Sequence, residues 1–326
     1  MKFKVESKKL KLLSPELSTF NSQKMISVEK TADLTGHSNP IFTAELSQKP
    51  GILFTGGNDK GVVEWGLKNN AFIKVMFPVP ASVYAIHCPA GFPYLFAGLR
   101  TGDIVVFDFI QQKVIKLLKH HTKPVFDIKF VSNKNELLTA SEDGTVSVWN
   151  IITLELLHVI QVSADTIRCI TIEPTKKHVA FGCRDNNVKI YDLEDYSYIT
   201  TLQGHTMAVF SAQYAPSGNY LVTGSRDAQL KIWNTNDYAL IQSIPAHLFA
   251  INHIAFHPTL PYFATASMDK SIKIWGADDF KLYKVISREK GYPCHVLSIN
   301  KIVWNGDNQL ISVSDDKAVI LWKITF

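Results

Sequence analysis

The chain has 326 residues, 46% of them hydrophobic and 19% charged, with a formal net charge of +5. That is apolar enough for a large core and too weakly charged for a disordered chain. No apolar run approaches the ~18 residues of a membrane-spanning helix, and no secretory signal is readable. Four cysteines in so long a chain do not make a disulfide scaffold, so a cytoplasmic location is expected.

In chain order, residues 1–25 come first. They hold six lysines against Glu6 and Glu16, while the rest of the chain is nearly neutral. This basic N-terminal arm is expected to lie outside a single domain spanning 26–326. Such an arm either touches nucleic acid or an anionic surface, or is only a solvated tail.

A repeat follows. Large aromatics end short β-like runs at Trp65, Phe107, Trp149, Tyr191, Trp233, Trp275 and Trp322, 42 residues apart except for a last step of 47. A second register precedes them at His37, Val79, His121, Ser163, His205, His247 and His295, and a third at Asp59, Thr101, Asp143, Asp185, Asp227, Asp269 and Asp316. Each unit reads as strands: in the fifth, Val209–Tyr214, a turn at 215–219, Tyr220–Gly224, a second turn at Asp227, and Leu230–Trp233. Four short antiparallel strands cannot bury a core alone, but packed radially they bury both faces of every sheet. The expected fold is all-β, a seven-bladed β-propeller. The chain stops four residues after Trp322, so the last blade lacks an outer strand, and residues 26–34 are predicted to supply it and close the ring. The lengthened last step predicts a loop insertion around 287–294.

The Gly-His pairs Gly36-His37 and Gly204-His205, the Ser-x-Asp of Ser225–Asp227 and the terminal Trp resemble the WD-repeat family over roughly residues 26–326. No unit ends in Trp-Asp, the family's loosest element. The resemblance implies a hydrogen-bonded Asp–His–Ser–Trp network inside each blade. That would place His121, Ser141, Asp143 and Trp149 together, then His205, Ser225, Asp227 and Trp233, then His247, Ser267, Asp269 and Trp275, and lastly His295, Ser314, Asp316 and Trp322. These are also the residue types of a hydrolase triad, but four copies at matching spacing point to structure rather than catalysis. Three units look incomplete: the first has Gly57 for Ser, the fourth has Ser163 and Cys183, and the second has lost the whole set. The second is then cleanly substituted, and the fourth, keeping Asp185, is the one expected to be compromised.

Other candidate chemistry is weak. His253 and His257 are four apart, ~13 Å on a strand and too far to chelate one metal. Cys169 and Cys183 read as buried thiols, and the glycine-rich stretch 55–61 lacks the spacing of a phosphate loop. No catalytic residue, metal or cofactor is expected.

Function is then expected on a surface. The second residue of each first strand is Phe42, Tyr84, Phe126, Arg168, Phe210, Asn252 or Asn300 in turn. In WD-repeat proteins such positions ring the channel mouth and commonly hold peptide contacts. Arg100, Arg184 and Arg226 precede the third register and should share that end of the disc. Aromatics and arginine are the residues enriched at interface hot spots, and guanidinium forks match carboxylates and phosphates. The expectation is a non-catalytic scaffold, monomeric outside a complex, whose top face binds acidic or phosphorylated segments of a protein or peptide partner. The alternatives are nucleic-acid or anionic-surface binding through the lysine arm, and an enzyme of another propeller class.

Overall fold

A computed structural model describes residues 26–175 and 177–326; the basic arm at 1–25 lies outside them. The described residues form seven four-stranded antiparallel sheets around one axis, with a single short 3-10 turn as the sole helix, too short to cross a membrane. In six of the seven sheets the strands run a, b, c, d outward from the axis in chain order. Blade five shows the pattern: Val209–Tyr214, Tyr220–Ser225, Gln229–Asn234 and Leu240–Pro245.

Strands b and c are covered on both faces by neighbouring blades, so their β-branched and apolar residues, such as Leu221, Val222, Leu230 and Ile232, are wholly buried. Strand d is outermost, and in blade five Leu240–Ser243 lie open to solvent. Blades approach closely where strand b carries a small residue. A Cβ on Gly224 would sit 2.7 Å from the Ile251 side chain of the next blade, so only glycine allows that contact.

The ring closes as the sequence predicts. Ser27–Leu34 pairs antiparallel with Val319–Thr325 and becomes the outer strand of the last sheet. Leu34 and Ile26 are buried at its two ends, which anchors the closing strand by apolar contact as well as by backbone bonds. The inserted loop lies between blades six and seven: Arg288–Lys290 form the 3-10 turn, ended by Gly291 at φ 82°. Its foot packs on blade six, where the Cys294 thiol meets the Lys270 carbonyl at 3.6 Å.

One irregularity recurs in every blade. Strand a slips register at its second residue, between Ile41 and Thr43, Val83 and Ala85, Val125 and Asp127, Ile167 and Cys169, Val209 and Ser211, Ile251 and His253, and Ile299 and Lys301. The extra residue of a bulge leaves the ladder and its side chain is re-aimed. Seven bulges thus turn seven side chains toward the mouth of the axial channel.

Candidate functional site

The His, Asp and Trp registers meet inside the blades, but the fourth partner is not the predicted serine. In blade five the Trp233 indole donates to Thr223 Oγ1 at 3.0 Å. The Thr223 hydroxyl donates to His205 Nε2 at 2.8 Å, and His205 Nδ1 donates to Asp227 Oδ2 at 2.9 Å. The directions follow from the donor inventory: a carboxylate only accepts, so Nδ1 carries a proton, and in a neutral ring Nε2 is then the acceptor of the threonine hydroxyl. Burial holds His37 and His247 below the ordinary histidine range despite their aspartate partners, consistent with neutral rings. Blades one, three, six and seven repeat the relay through Thr55, Thr139, Thr265 and Ser312.

Ser141, Ser225, Ser267 and Ser314 therefore leave the tetrad. They stand two residues further along strand b, at its end, where each hydroxyl accepts the amide of its register aspartate. The first three also donate to a carbonyl of the loop entering strand a, that of Lys123, Met207 or Phe249. The reason is register: Leu221 lies opposite Trp233, so the indole reaches diagonally to Thr223 and not past it to Ser225.

Blade one, expected to be incomplete, is complete, because Thr55 and not Gly57 belongs to the relay. Gly57 instead admits the Pro40 carbonyl, which a Cβ would meet at 2.1 Å. Blade four is not compromised either: Asp185 accepts from Ser163 at 2.9 Å and pairs with Lys189 at 3.0 Å, while Phe181 fills the threonine position. Blade two lacks the relay, with Val79, Ala97 and Phe107 in its places, and Phe77 from the outer strand of blade one stacks on Phe107 at 5.1 Å. Burial pushes the Cys169 thiol up to about 12 and raises Cys183 further, so neither thiolate is populated near neutrality. His257 points away from the channel and bonds the Asp307 carbonyl at 2.8 Å. No cluster of three metal-ligating side chains occurs among the described residues.

All seven bulge side chains line the channel mouth. Phe42 stacks on Tyr84 at 4.9 Å, Tyr84 meets Phe126 edge-on at 5.2 Å, and the Arg168 guanidinium lies 4.0 Å from the Phe126 ring and 4.8 Å from that of Phe210. Arg168 thus belongs to a half-buried collar, and burial lowers its pKa; it does not stand out with the other arginines. Asn252 and Asn300 are engaged too. Asn252 donates to Ser298 Oγ and the Ile299 carbonyl, and Asn300 to the Ile41 carbonyl and Asp315 Oδ1, each bridging to the next blade. These two residues seal the ring rather than offering free amides.

Arg100, Arg184 and Arg226 are exposed at the same end of the disc. Their backbone amides bond the carbonyls of Ser82, Thr166 and Ala208 in the loops entering strand a, which pins each of them to the mouth face. Arg184 lies 3.9 Å from Asp165, an exposed pair worth little.

The sequence reading missed the apolar side of this face. Leu248 is 81% exposed, Phe249 59% and Met268 55%, with Met207, Val296 and Leu297 also open. Those of blade six and Val296 lie close together: the Leu248 amide bonds Asp269, the Met268 amide bonds the Ala250 carbonyl, and Val296 borders a hollow with Lys270, Arg288 and Glu289. Exposed Lys270 and Arg288 line that hollow with the acid Glu289, and Arg226 and Lys290 are exposed as well. The signal was present in the repeat register. The two residues after the histidine position are Ser38-Asn39, Thr122-Lys123 and Ala164-Asp165 in three earlier units, but Leu248-Phe249 and Val296-Leu297 in the last two.

Among curated proteins, the chain is 36% identical over 64 residues to "Retinoblastoma-binding protein 5 homolog" of Drosophila melanogaster, covering 20% of this chain and 13% of that protein. It is 26% identical over 136 residues to "COMPASS component SWD3" of Saccharomyces cerevisiae, covering 39% and 43%. It is also 25% identical over 142 residues to "Striatin homolog" of Dictyostelium discoideum, covering 42% and 14%. The chain thus spans less than half the length of these relatives. The family model "WD domain, G-beta repeat" matches residues 112–150, 154–192, 196–234, 238–276 and 287–323, more than half the chain. With seven blades and five complete relays of that pattern, the chain belongs to the WD40 repeat family.

Proposed function

We propose that this protein is a non-catalytic binding module that docks an acidic, partly apolar segment of a protein partner across the face bearing the channel mouth. The observation that carries the reading is the exposed apolar set Leu248, Phe249, Met268, Val296 and Leu297, with Lys270 and Arg288 beside Val296 and Arg226 also exposed. A monomer rarely leaves such a patch open without a use, and exposed cations beside it favour an acidic partner by steering and by contact. The names of the similar proteins, a COMPASS component among them, support membership of a protein assembly. Phosphorylated segments fit the same chemistry, because Arg184 and Arg226 present guanidinium forks that match phosphate as well as carboxylate.

The test is a charge reversal. Arg184→Glu combined with Arg226→Glu should abolish capture of the wild-type partners while the melting temperature holds within a few degrees, since both side chains are exposed. Normal capture by the double mutant would move the function to another face or to the lysine arm.

A further inference from the structure

We infer that the channel beneath the collar is a binding site for a small free oxyanion of phosphate size, held chiefly by Lys301 and His253. Both side chains line a cavity of about 320 Å³ that also takes in Lys129, Asp127 and Arg168. Its lining leaves hydrogen-bonding capacity unused. Lys301 Nζ makes a hydrogen bond to Thr43 Oγ1 at 3.3 Å and forms no ion pair among the described residues, although an ammonium carries three donors. His253 Nδ1 and Arg168 Nε are buried without a hydrogen-bond partner.

The carboxylates nearby are already engaged. Asp127 accepts the amides of Ile128 and Ile170 and lies 3.4 Å from Lys129, Glu45 holds His87 at 3.2 Å, and Asp315 at the rim holds Asn300. Burial, with Lys129 beside it, lowers the Lys301 pKa by more than the Glu45 and Asp127 carboxylates raise it, so an anion close to the ammonium would favour its charged form. An oxyanion supplies several acceptor lone pairs at once, and charge-assisted bonds to it are the strong kind. The occupant is a free ion rather than a partner's side chain. The collar above is made of rings and amides packed on their neighbours, which favours a compact ion over an extended chain. The site is independent of what docks on the face above.

Calorimetric titration with inorganic phosphate, at constant ionic strength and without a protein partner, tests this. The wild type should show one saturable site, and Lys301→Met should weaken it at least about tenfold. Arg226→Glu, outside the channel, should bind like wild type. A second readout needs no variant: amine labelling followed by mass spectrometry should find Lys301 protected by phosphate, with surface lysines unchanged. A heat that never saturates, equal binding by Lys301→Met, or unchanged Lys301 labelling would overturn the assignment.

Discussion

Replacing Thr223 with valine tests the hydrogen-bond relay at its centre. The residue is completely buried, and its one hydroxyl both accepts from Trp233 and donates to His205. Valine keeps the branched shape, so no cavity forms, but the indole N–H and the imidazole Nε2 are both orphaned inside the blade. Each buried polar group left unsatisfied costs about 1–3 kcal/mol, so the pair should cost about 2–6 kcal/mol. At about 2.1 cal/mol/K per residue, a chain of 326 residues has an unfolding entropy near ~0.7 kcal/mol/K, which converts that loss to a fall of roughly 3–9 °C. Calorimetry and guanidinium titration measure it. Thr101→Val is the matched control, because Thr101 sits exposed in the apolar blade two and bonds only Asp103; its cost should stay within about 0.5 kcal/mol. A Thr223→Val loss under about 1 kcal/mol, or equal losses in the two variants, would refute the relay as a source of stability.

Deleting residues 1–25 should leave the melting transition unchanged, whereas deleting 1–35 removes the strand paired with Val319–Thr325 and should abolish cooperative melting or solubility. Acid should destabilise the fold in two stages. His37, His247 and His253 are held below their ordinary value by burial, so the stability they contribute is full above about pH 6.5 and erodes as pH falls below it. Burial favours the neutral acid of Asp227 and Asp316, yet hydrogen bonds from His205 and His295 and from backbone amides hold both at about 2; their contribution is present above about pH 4 and is lost toward pH 2. A melting temperature flat from pH 8 to pH 3 would contradict both assignments. Limited proteolysis should cut first within 288–291, the exposed insertion, and first cleavage inside a blade strand would count against that placement.

The architecture was legible because three residue registers kept step at 42 residues, and a period that strict leaves little choice but radial repetition. The relay partner was not legible. Thr223 and Ser225 are two apart on one strand, so both face the same side, and spacing alone cannot say which one the indole reaches; the pairing of Leu221 with Trp233 decides it. Arg168, Asn252 and Asn300 were read as partner contacts because a register shows where a side chain starts and not what it packs against. Phe126 and Phe210 enclose the first, and neighbouring carbonyls hold the other two. The apolar patch could have been read from the residues following His247 and His295, had these been compared across units as the histidines themselves were.

Site-specific photocrosslinking tests the docking face most directly. A photoreactive residue at Leu248, on the mouth face, should crosslink to the bound partner, and one at Ser217, exposed in the turn between strands a and b at the opposite end of blade five, should not. Crosslinks from Ser217 with none from Leu248 would contradict the assignment of binding to this face.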